Sequence, residues 1–384
     1  MVRLRLLSIL AIGFAVALSA QQTPSPLIPR THEGREQRYY ANHHVILNVL
    51  VTDAKGRPAT GLKQEDFSLL DNHLPQKITT FREIRGSDPA ARVHVILILD
   101  ILNNKPASIV ILRKALERFL GQNQGRIAYP TEIAVLSGSG LDADQSSADG
   151  YVHVLWLKKF FSSPHAAGCE WEERSGKADN AIAGLISEAT PPFQTDSAQA
   201  TCSNLRYRVS LSELNRLAKQ QADVVGRAIV IWLGSGWPDF TNAEFLPQTT
   251  GQKRNTFDYL VNLATSLREA QITLDSVASL EASSVSDSSK DAGDELAGGP
   301  TGDQLNPSGL SLVALARQTG GQVFAKSQDM AREISACLSD AESWYALSFD
   351  SAPVVTGAAY RSLEVEVSSP GLRVRTNTAY YAQP

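Results

Sequence analysis

The sequence predicts an α/β protein whose core is a doubly wound, mostly parallel β-sheet. Residues 93–99 and 228–233 are nearly continuous apolar runs, the pattern of strands buried on both faces of a parallel sheet. Helical patterns separate these runs, and strands that alternate with helices imply right-handed crossovers. Strand patterns within residues 43–87 and 343–384 predict a small β domain beside a core formed by residues 91–341.

The N-terminal part of this small β domain contains three predicted strands. Residues 45–52 are rich in β-branched side chains, and residues 53–56 supply the turn that follows them. A second strand is expected around residues 67–70. Alternation of apolar and polar side chains predicts a third strand at residues 77–84.

The core and the C-terminal part follow from the same patterns. Further core strands are expected at residues 132–136, 152–157, 272–277 and 322–324, and C-terminal strands at residues 344–349, 362–367 and 372–381. Helices are expected at residues 108–120, 257–270, 310–318 and 328–341. Ser210 and Glu213 form a capping-box pattern, which predicts that another helix begins there and runs to about residue 225. Residues 281–309 are rich in Ser, Asp and Gly, which predicts a mobile surface loop rather than a calcium site.

Length and composition are typical of a soluble protein with two domains. The chain has 384 residues, of which 43% are hydrophobic and 20% are charged. Its net charge of −4 offers no basic surface for nucleic acid or anionic lipid, so a nucleic-acid partner is not expected.

The first residues have the pattern of a targeting segment. Within residues 1–20, Arg3 and Arg5 precede an apolar run and then small residues, which predicts a secretory signal peptide. The run is shorter than the ~20 residues of a membrane span, although an uncleaved anchor is the alternative. Residues 21–42 are Pro-rich and then charged, as in a linker. We therefore expect export to the periplasm or outside the cell, without a membrane span in the mature chain.

The chain has three cysteines. Export would permit a disulfide between Cys169 and Cys202, and the sequence leaves open whether they are bridged. Cys337 shares helical spacing with Met330 and Ile334, which predicts a buried free thiol. The absence of CxxC and Cys/His clusters from the sequence argues against a zinc site.

Five stretches occur in a specific order along the chain. They are VILNVLVTDAKGRPATGLKQEDFSLLDNHLPQKITTF, VHVILILDILNN, GRAIVIWLGSGWPDF, LVALARQTGGQVFAKSQDMAREI, and WYALSF with the closing Tyr380-Tyr381. Together they resemble the VWFA-related domain family of secreted acidobacterial proteins, which is von Willebrand factor type A-like. The resemblance covers most of residues 43–384 and implies a Rossmann-like sheet with helices on both faces.

The resemblance also implies a divalent-metal site at the carboxyl end of the sheet. In standard type A domains the ligands are an Asp-x-Ser-x-Ser loop, a Thr and a second Asp, and an acidic residue of the partner completes the coordination. This chain keeps the first Asp as Asp100, but Leu102 and Asn104 stand at the two Ser positions. Ser235 stands where the second Asp is expected, and the best candidate for the Thr loop, residues 176–179, contains no Thr.

These departures predict a degenerate metal site. Mg²⁺ prefers near-octahedral oxygen ligands that include one or two carboxylates. Asp100 with Asn103 or Asn104 would therefore form at most a weak magnesium site, and no other cofactor is expected. The alternative role for Asp100 is to accept hydrogen bonds from nearby backbone N–H groups.

The sequence lacks a recognisable catalytic pattern. The Gly-Ser turns at residues 137–140 and 234–236 do not fit a nucleophile elbow or a phosphate-binding loop. The adjacent His43 and His44 would point to opposite faces of a strand. His94 and His153 fall inside strand patterns, where each is expected to be a packed or edge residue.

The sequence therefore predicts an exported, non-enzymatic module that binds a protein partner of unknown identity. The predicted binding rim consists of Asp100, Asn103, Asn104, Ser137, Ser139, Ser235, Trp237 and Asp239. Trp237 is either an exposed aromatic anchor or a side chain packed under its loop. One alternative is a structural envelope scaffold that acts through the β domain, and another is a hydrolase with an unrecognised site.

Overall fold

The computed structural model describes residues 43–88, 91–163, 198–224, 226–237, 250–279, 311–354 and 358–382. The predicted signal peptide, the linker, the segment 281–309, Cys169 and the loop at residues 176–179 lie outside these residues, and so does nearly all of the stretch between Cys169 and Cys202.

Strands and α-helices alternate in the middle of the described residues, and the α-helices give way to strands toward both ends of them. The strands are β1 (His44–Thr52), β2 (Phe67–Asp71), β3 (Leu74–Pro75), β4 (Thr80–Arg85), β5 (Val93–Asp100), β6 (Arg126–Ser137), β7 (Gly140–Ala143), β8 (Ser147–Asp149), β9 (Arg227–Leu233), β10 (Ile272–Ser279), β11 (Val323–Ser327), β12 (Ser343–Asp350), β13 (Ala359–Val367), β14 (Arg373–Arg375) and β15 (Ala379–Ala382). The α-helices are α1 (Pro106–Gly121), α2 (Gly150–Ser162), α3 (Ala198–Ala222), α4 (Thr250–Glu269), α5 (Leu312–Gln318) and α6 (Met330–Ser339).

A seven-stranded sheet forms the centre of the α/β part. Its order is β11-β10-β9-β5-β6-β7, with β8 also paired to β6. The strands from β11 to β6 are mutually parallel, whereas β7 and β8 run antiparallel to β6. The order of the strands reverses between β5 and β9. In open sheets of this kind, ligands bind at such a switch point, outside the carboxyl ends of the strands.

Helices cover both faces of this sheet, as the sequence predicts. On one face, α3, α4 and α5 bury apolar side chains that include Leu214, Leu263 and Leu315. On the other face, α1, α2 and α6 bury side chains that include Leu116 and Ile334. The β5 and β9 strands contribute to both clusters, which explains their continuous apolar sequences.

The strands from the two ends of the chain pair with one another. One four-stranded sheet has the order β14-β1-β12-β4, and another has the order β15-β13-β2-β3. Between them lies an apolar cluster that includes Leu47, Phe67, Leu347 and Phe349. The same compact unit contains these sheets and the parallel sheet. One contact between the two parts is the edge-to-face packing of Tyr381 on Phe257 of α4.

The predicted strand at residues 152–157 is wrong, because these residues belong to α2. Valines and a tryptophan in this segment favour a strand when they are considered locally. In the helix, however, His153, Leu157 and Phe160 fall on one buried face at a spacing of four and three residues. Asp149 precedes the helix and caps it by accepting a hydrogen bond from the Tyr151 backbone N–H. Tertiary packing and the cap therefore outweigh the local strand preference.

The predicted helix start at Ser210 is also wrong. The helix α3 begins at Ala198, so Ser210 lies inside it, and Glu213 pairs with Arg216 instead of closing a capping box. The expected apolar face of this helix is present, because Leu211 and Leu214 are fully buried. The C-terminal segment 372–381 forms two strands, β14 and β15, rather than one.

Two further sequence expectations concern helices. Cys337 is a buried free thiol on α6, as its spacing predicts. Among the described residues, no helix has the length and apolar character that are needed to cross a membrane.

Candidate functional site

The candidate site lies where the carboxyl ends of three neighbouring strands meet. Asp100 is the last residue of β5, and Ser137 is the last residue of β6. Gly234 and Ser235 follow directly after β9. Because β5 lies between β6 and β9 in a parallel register, these residues share one edge of the sheet at its switch point. The structure therefore brings together the three loops that the sequence proposed as a rim.

Asp100 is fully buried, and its carboxylate accepts hydrogen bonds from its own chain. Oδ1 accepts from the Asn103 backbone N–H at 2.9 Å and from Asn103 Nδ2 at 3.1 Å. Oδ2 accepts from Asn103 Nδ2 at 2.9 Å and from Trp232 Nε1 at 3.0 Å. Burial raises the pKa of the Asp100 carboxyl, and the hydrogen bonds from Asn103 and Trp232 oppose that rise. The buried carboxylate thus holds the loop after β5 in place through its hydrogen bonds with Asn103.

A second set of hydrogen bonds ties this loop to the turn after β9. Asn104 donates from Nδ2 to the Asp100 backbone carbonyl at 2.9 Å. Its Oδ1 accepts from the Ser235 hydroxyl at 3.2 Å and from the Ser235 backbone N–H at 3.3 Å. Gly234 has a φ of +144°, and a Cβ there would lie 2.5 Å from Asn104 Nδ2 and 3.0 Å from the Asp100 Cβ. The turn therefore requires glycine, both for its backbone conformation and for the close approach of Asn104.

Helix α3 contributes a residue that the sequence analysis assigned to another role. Ser210 is fully buried, and its hydroxyl accepts a hydrogen bond from Asn103 Nδ2 at 2.9 Å. Asn103 therefore links the end of β5 to α3. Asn103 Oδ1 is buried and has no hydrogen-bond partner among the described residues.

The rim residues differ in their access to solvent. Ser139 is exposed, and Asn103 and Ser235 are half-buried, whereas Asp100, Asn104 and Ser137 are buried. Ser137 and Ser139 bond to each other through their hydroxyl groups at 2.8 Å. The Ser139 side chain is therefore the most accessible part of the rim, while the Asp100 carboxylate lies beneath it.

Trp237 is packed rather than exposed. Its side chain is only 5% exposed, and its ring meets the Trp232 ring edge to face, with centroids 5.4 Å apart. The sequence left two roles open for Trp237, and the structure has the packed one. Asp239, the other rim candidate in this turn, lies outside the described residues.

Among the described residues, the side chains at this edge do not fit a divalent metal. The Trp232 indole can only donate a hydrogen bond, so it directs an N–H toward the oxygen that a cation would need. The Asn104 amide oxygen is engaged by Ser235, and Leu102 offers no ligand atom at all. This leaves the Asn103 amide oxygen and one buried carboxylate whose two oxygens already accept hydrogen bonds. Such a set falls short of the ligands that Mg²⁺ needs.

The serines at this edge face hydrogen-bond acceptors rather than bases. Ser235 Oγ lies near the Asn103 carbonyl, the Asn104 Oδ1 and the Gly236 carbonyl. Ser137 Oγ lies near Ser139 Oγ and the Gly140 carbonyl. Activation of a serine nucleophile needs a base within hydrogen-bond reach. Within the described part of the chain, these two serines form hydrogen bonds with neither a His nor a carboxylate.

Two residues of the site were not identified from the sequence. Trp232 lies inside an apolar run, where it resembles a core residue, and only the pairing of β9 with β5 reveals its donor role. Ser210 lies in α3, more than a hundred positions from Asn103. A sequence pattern gives no signal for a contact across such a distance.

Comparison with known proteins adds little to this description. The sequence matches no protein-family model and no curated protein sequence. Among solved structures, the human COPII-coat protein Sec24c aligns with a TM-score of 0.32 and 8% sequence identity. The alignment covers 79% of this chain and 46% of that chain, so this chain spans less than half the length of Sec24c. A TM-score this low supports no conclusion about function.

Proposed function

We propose that this chain is a non-enzymatic protein-interaction module that binds its partner at the carboxyl edge of the parallel sheet, without a metal ion. The observation that carries the proposal is the Asp100 network. The carboxylate stands where a metal-dependent adhesion domain would use it as a ligand, and here it accepts hydrogen bonds from Asn103 and Trp232 instead.

The proposal treats the chain as a degenerate von Willebrand factor type A-like domain. The sheet order, with its reversal between β5 and β9, and the helices on both faces support this assignment. Recognition would then use the exposed Ser139 and the exposed parts of the half-buried Asn103 and Ser235. The signal-peptide pattern of residues 1–20 supports export to the periplasm or the cell exterior.

We also propose that the paired terminal strands form a small β domain. Their shared apolar cluster draws all of its fully buried members from residues 45–78 and 345–382, which supports a separate packing layer. If this layer makes the functional contact, the chain is an envelope scaffold rather than a rim binder.

A melting experiment tests metal independence. We expect the midpoint of the full chain to be the same in EDTA and in excess Mg²⁺, Mn²⁺ or Ca²⁺. A specific ion at a hundred times its dissociation constant would add ~2.7 kcal/mol and raise the midpoint by several degrees. Such a rise, if Asp100→Ala abolishes it, would overturn the proposal.

Site-specific photo-crosslinking tests where the partner binds. A crosslinking amino acid replaces Ser139 at the rim or, as the matched control, Leu74, which is 64% exposed on β3 of a terminal sheet. We expect a crosslinked partner from position 139 and none from position 74. The reverse result would favour the scaffold function.

A further inference from the structure

A buried histidine on the inner face of α2 holds the edge of the parallel sheet. The His153 side chain is 0% exposed, and its Nδ1 meets the Asp144 carboxylate. Its Nε2 lies 3.1 Å from the Ser147 backbone carbonyl. Asp144 and Ser147 lie in and beside the short connection between β7 and β8, so one ring spans the helix and this edge segment.

Both ring nitrogens of His153 face hydrogen-bond acceptors. The Ser147 carbonyl can only accept, so Nε2 carries a hydrogen. The other oxygen of Asp144 already accepts from the Ile133 backbone N–H at 2.8 Å. A neutral imidazole has one N–H and cannot donate to both partners. The arrangement is therefore satisfied by an imidazolium ring paired with the Asp144 carboxylate.

The surrounding charges favour this protonated state. Asp149, the cap of α2, lies close enough to act on the ring, and Glu132 on β6 lies close enough to act on Asp144. The charge of Arg216 on α3 acts on Glu132. Burial alone lowers the pKa of His153, but the hydrogen bonds to Asp144 and Ser147 and the charges of Asp144 and Asp149 together raise it above its ordinary value.

The segment that the ring holds consists of two short strands at the edge of the parallel sheet. The β7 strand has four residues and β8 has three, and both pair with β6 alone. The turn at Ser139 precedes β7 directly. We propose that protonated His153 is a latch that pins the β7–β8 segment to α2, and that loss of its proton releases this segment and loosens the adjoining turn.

The direction of the response follows from linkage. The ring holds its proton more tightly in the latched form than in the released form. The latch therefore stabilises the β7–β8 segment fully below the ordinary histidine pKa. This stabilisation is lost as the pH rises through the raised pKa of His153. Over this pH range, the equilibrium constant for release of the segment increases tenfold for each unit by which the pKa of His153 in the latched form exceeds its pKa in the released form.

Two measurements on the full chain test the latch. Ring-nitrogen NMR is expected to show that His153 keeps its proton to a pH above the ordinary range of a histidine. Hydrogen exchange, corrected for intrinsic rates, is expected to show that residues 140–149 lose protection over the same pH interval. The factor by which protection falls should equal the factor predicted from the difference between the measured pKa of His153 and the ordinary histidine pKa.

Variants separate the latch from general effects of pH. In His153→Gln we expect low protection of residues 140–149 at every pH, whereas the control His94→Gln keeps the wild-type response. If His153→Gln does not fold, the wild-type NMR titration still decides the matter. A His153 ring that stays neutral from pH 5 to 8, or protection of residues 140–149 that does not change with pH, would overturn the proposal.

Discussion

Removal of the Trp232 N–H tests whether the Asp100 carboxylate depends on donors from its own chain. Trp232 and Asp100 are both fully buried, and the indole nitrogen lies 3.0 Å from Oδ2. Trp232→Phe keeps an aromatic ring but removes this donor. A hydrogen bond to a charged group contributes about 1.5–3 kcal/mol. The smaller ring leaves a partial cavity that costs about 1 kcal/mol more. We therefore expect the free energy of unfolding to fall by about 2.5–4 kcal/mol.

A double-mutant cycle isolates the hydrogen bond from the cavity. Trp232→Phe, Asp100→Asn and the double variant are compared with the wild type by urea denaturation at pH 7, followed by circular dichroism. We expect a coupling energy of about 2 kcal/mol between the two positions. The control cycle pairs Trp232→Phe with Cys337→Ala, because Cys337 belongs to the apolar cluster on the opposite face of the sheet. That pair should be additive within a few tenths of a kcal/mol. A coupling energy near zero between positions 232 and 100 would refute the internal network.

Two further predictions concern backbone strain and pH. Gly234→Ala places a Cβ 2.5 Å from Asn104 Nδ2 at a φ of +144°. We therefore expect the free energy of unfolding, measured by thermal denaturation, to fall by about 2–4 kcal/mol. A fall below about 0.5 kcal/mol would contradict the close approach. Burial and the charge of Asp340 raise the pKa of Asp275 to about 7, above its ordinary 3.8. The folded state then binds more protons between these values, so stability falls as the pH rises from about 4 to about 7. Asp275→Asn should flatten this slope in urea titrations at several pH values, and an unchanged slope would mean that another group produces it.

Much of the parallel sheet could be predicted from the sequence, because strands buried on both faces leave a continuous apolar signature. The β5 and β9 segments were predicted within one residue of their observed ends. The helix α2 could not be predicted in this way. Its valines and Trp156 favour a strand locally, and the buried positions of His153 and Leu157 become evident only when the helix lies on the sheet.

The sequence predicted which residues lie at the carboxyl edge of the sheet, but not which hydrogen bonds they form. The resemblance to type A domains pointed to Asp100 at the end of β5, a location that agrees with the ligand-binding edge of such sheets. The partners of its carboxylate depend on strand register and on the position of α3, which bring Trp232 and Ser210 to the same edge. Local sequence patterns carry no information about either relation.

The pairing of the two chain ends has a consequence for how the protein folds. His44 on β1 meets Asp350 on β12 across 306 positions of the chain. Closing so large a loop costs entropy before any contact compensates for it, so these sheets should form late and slowly. During synthesis, edges of β1 and β2 stay unpaired until the last strands of the chain have been made. An interrupted chain would therefore leave the apolar side chains of Leu47 and Phe67 without their cover, a state that invites aggregation.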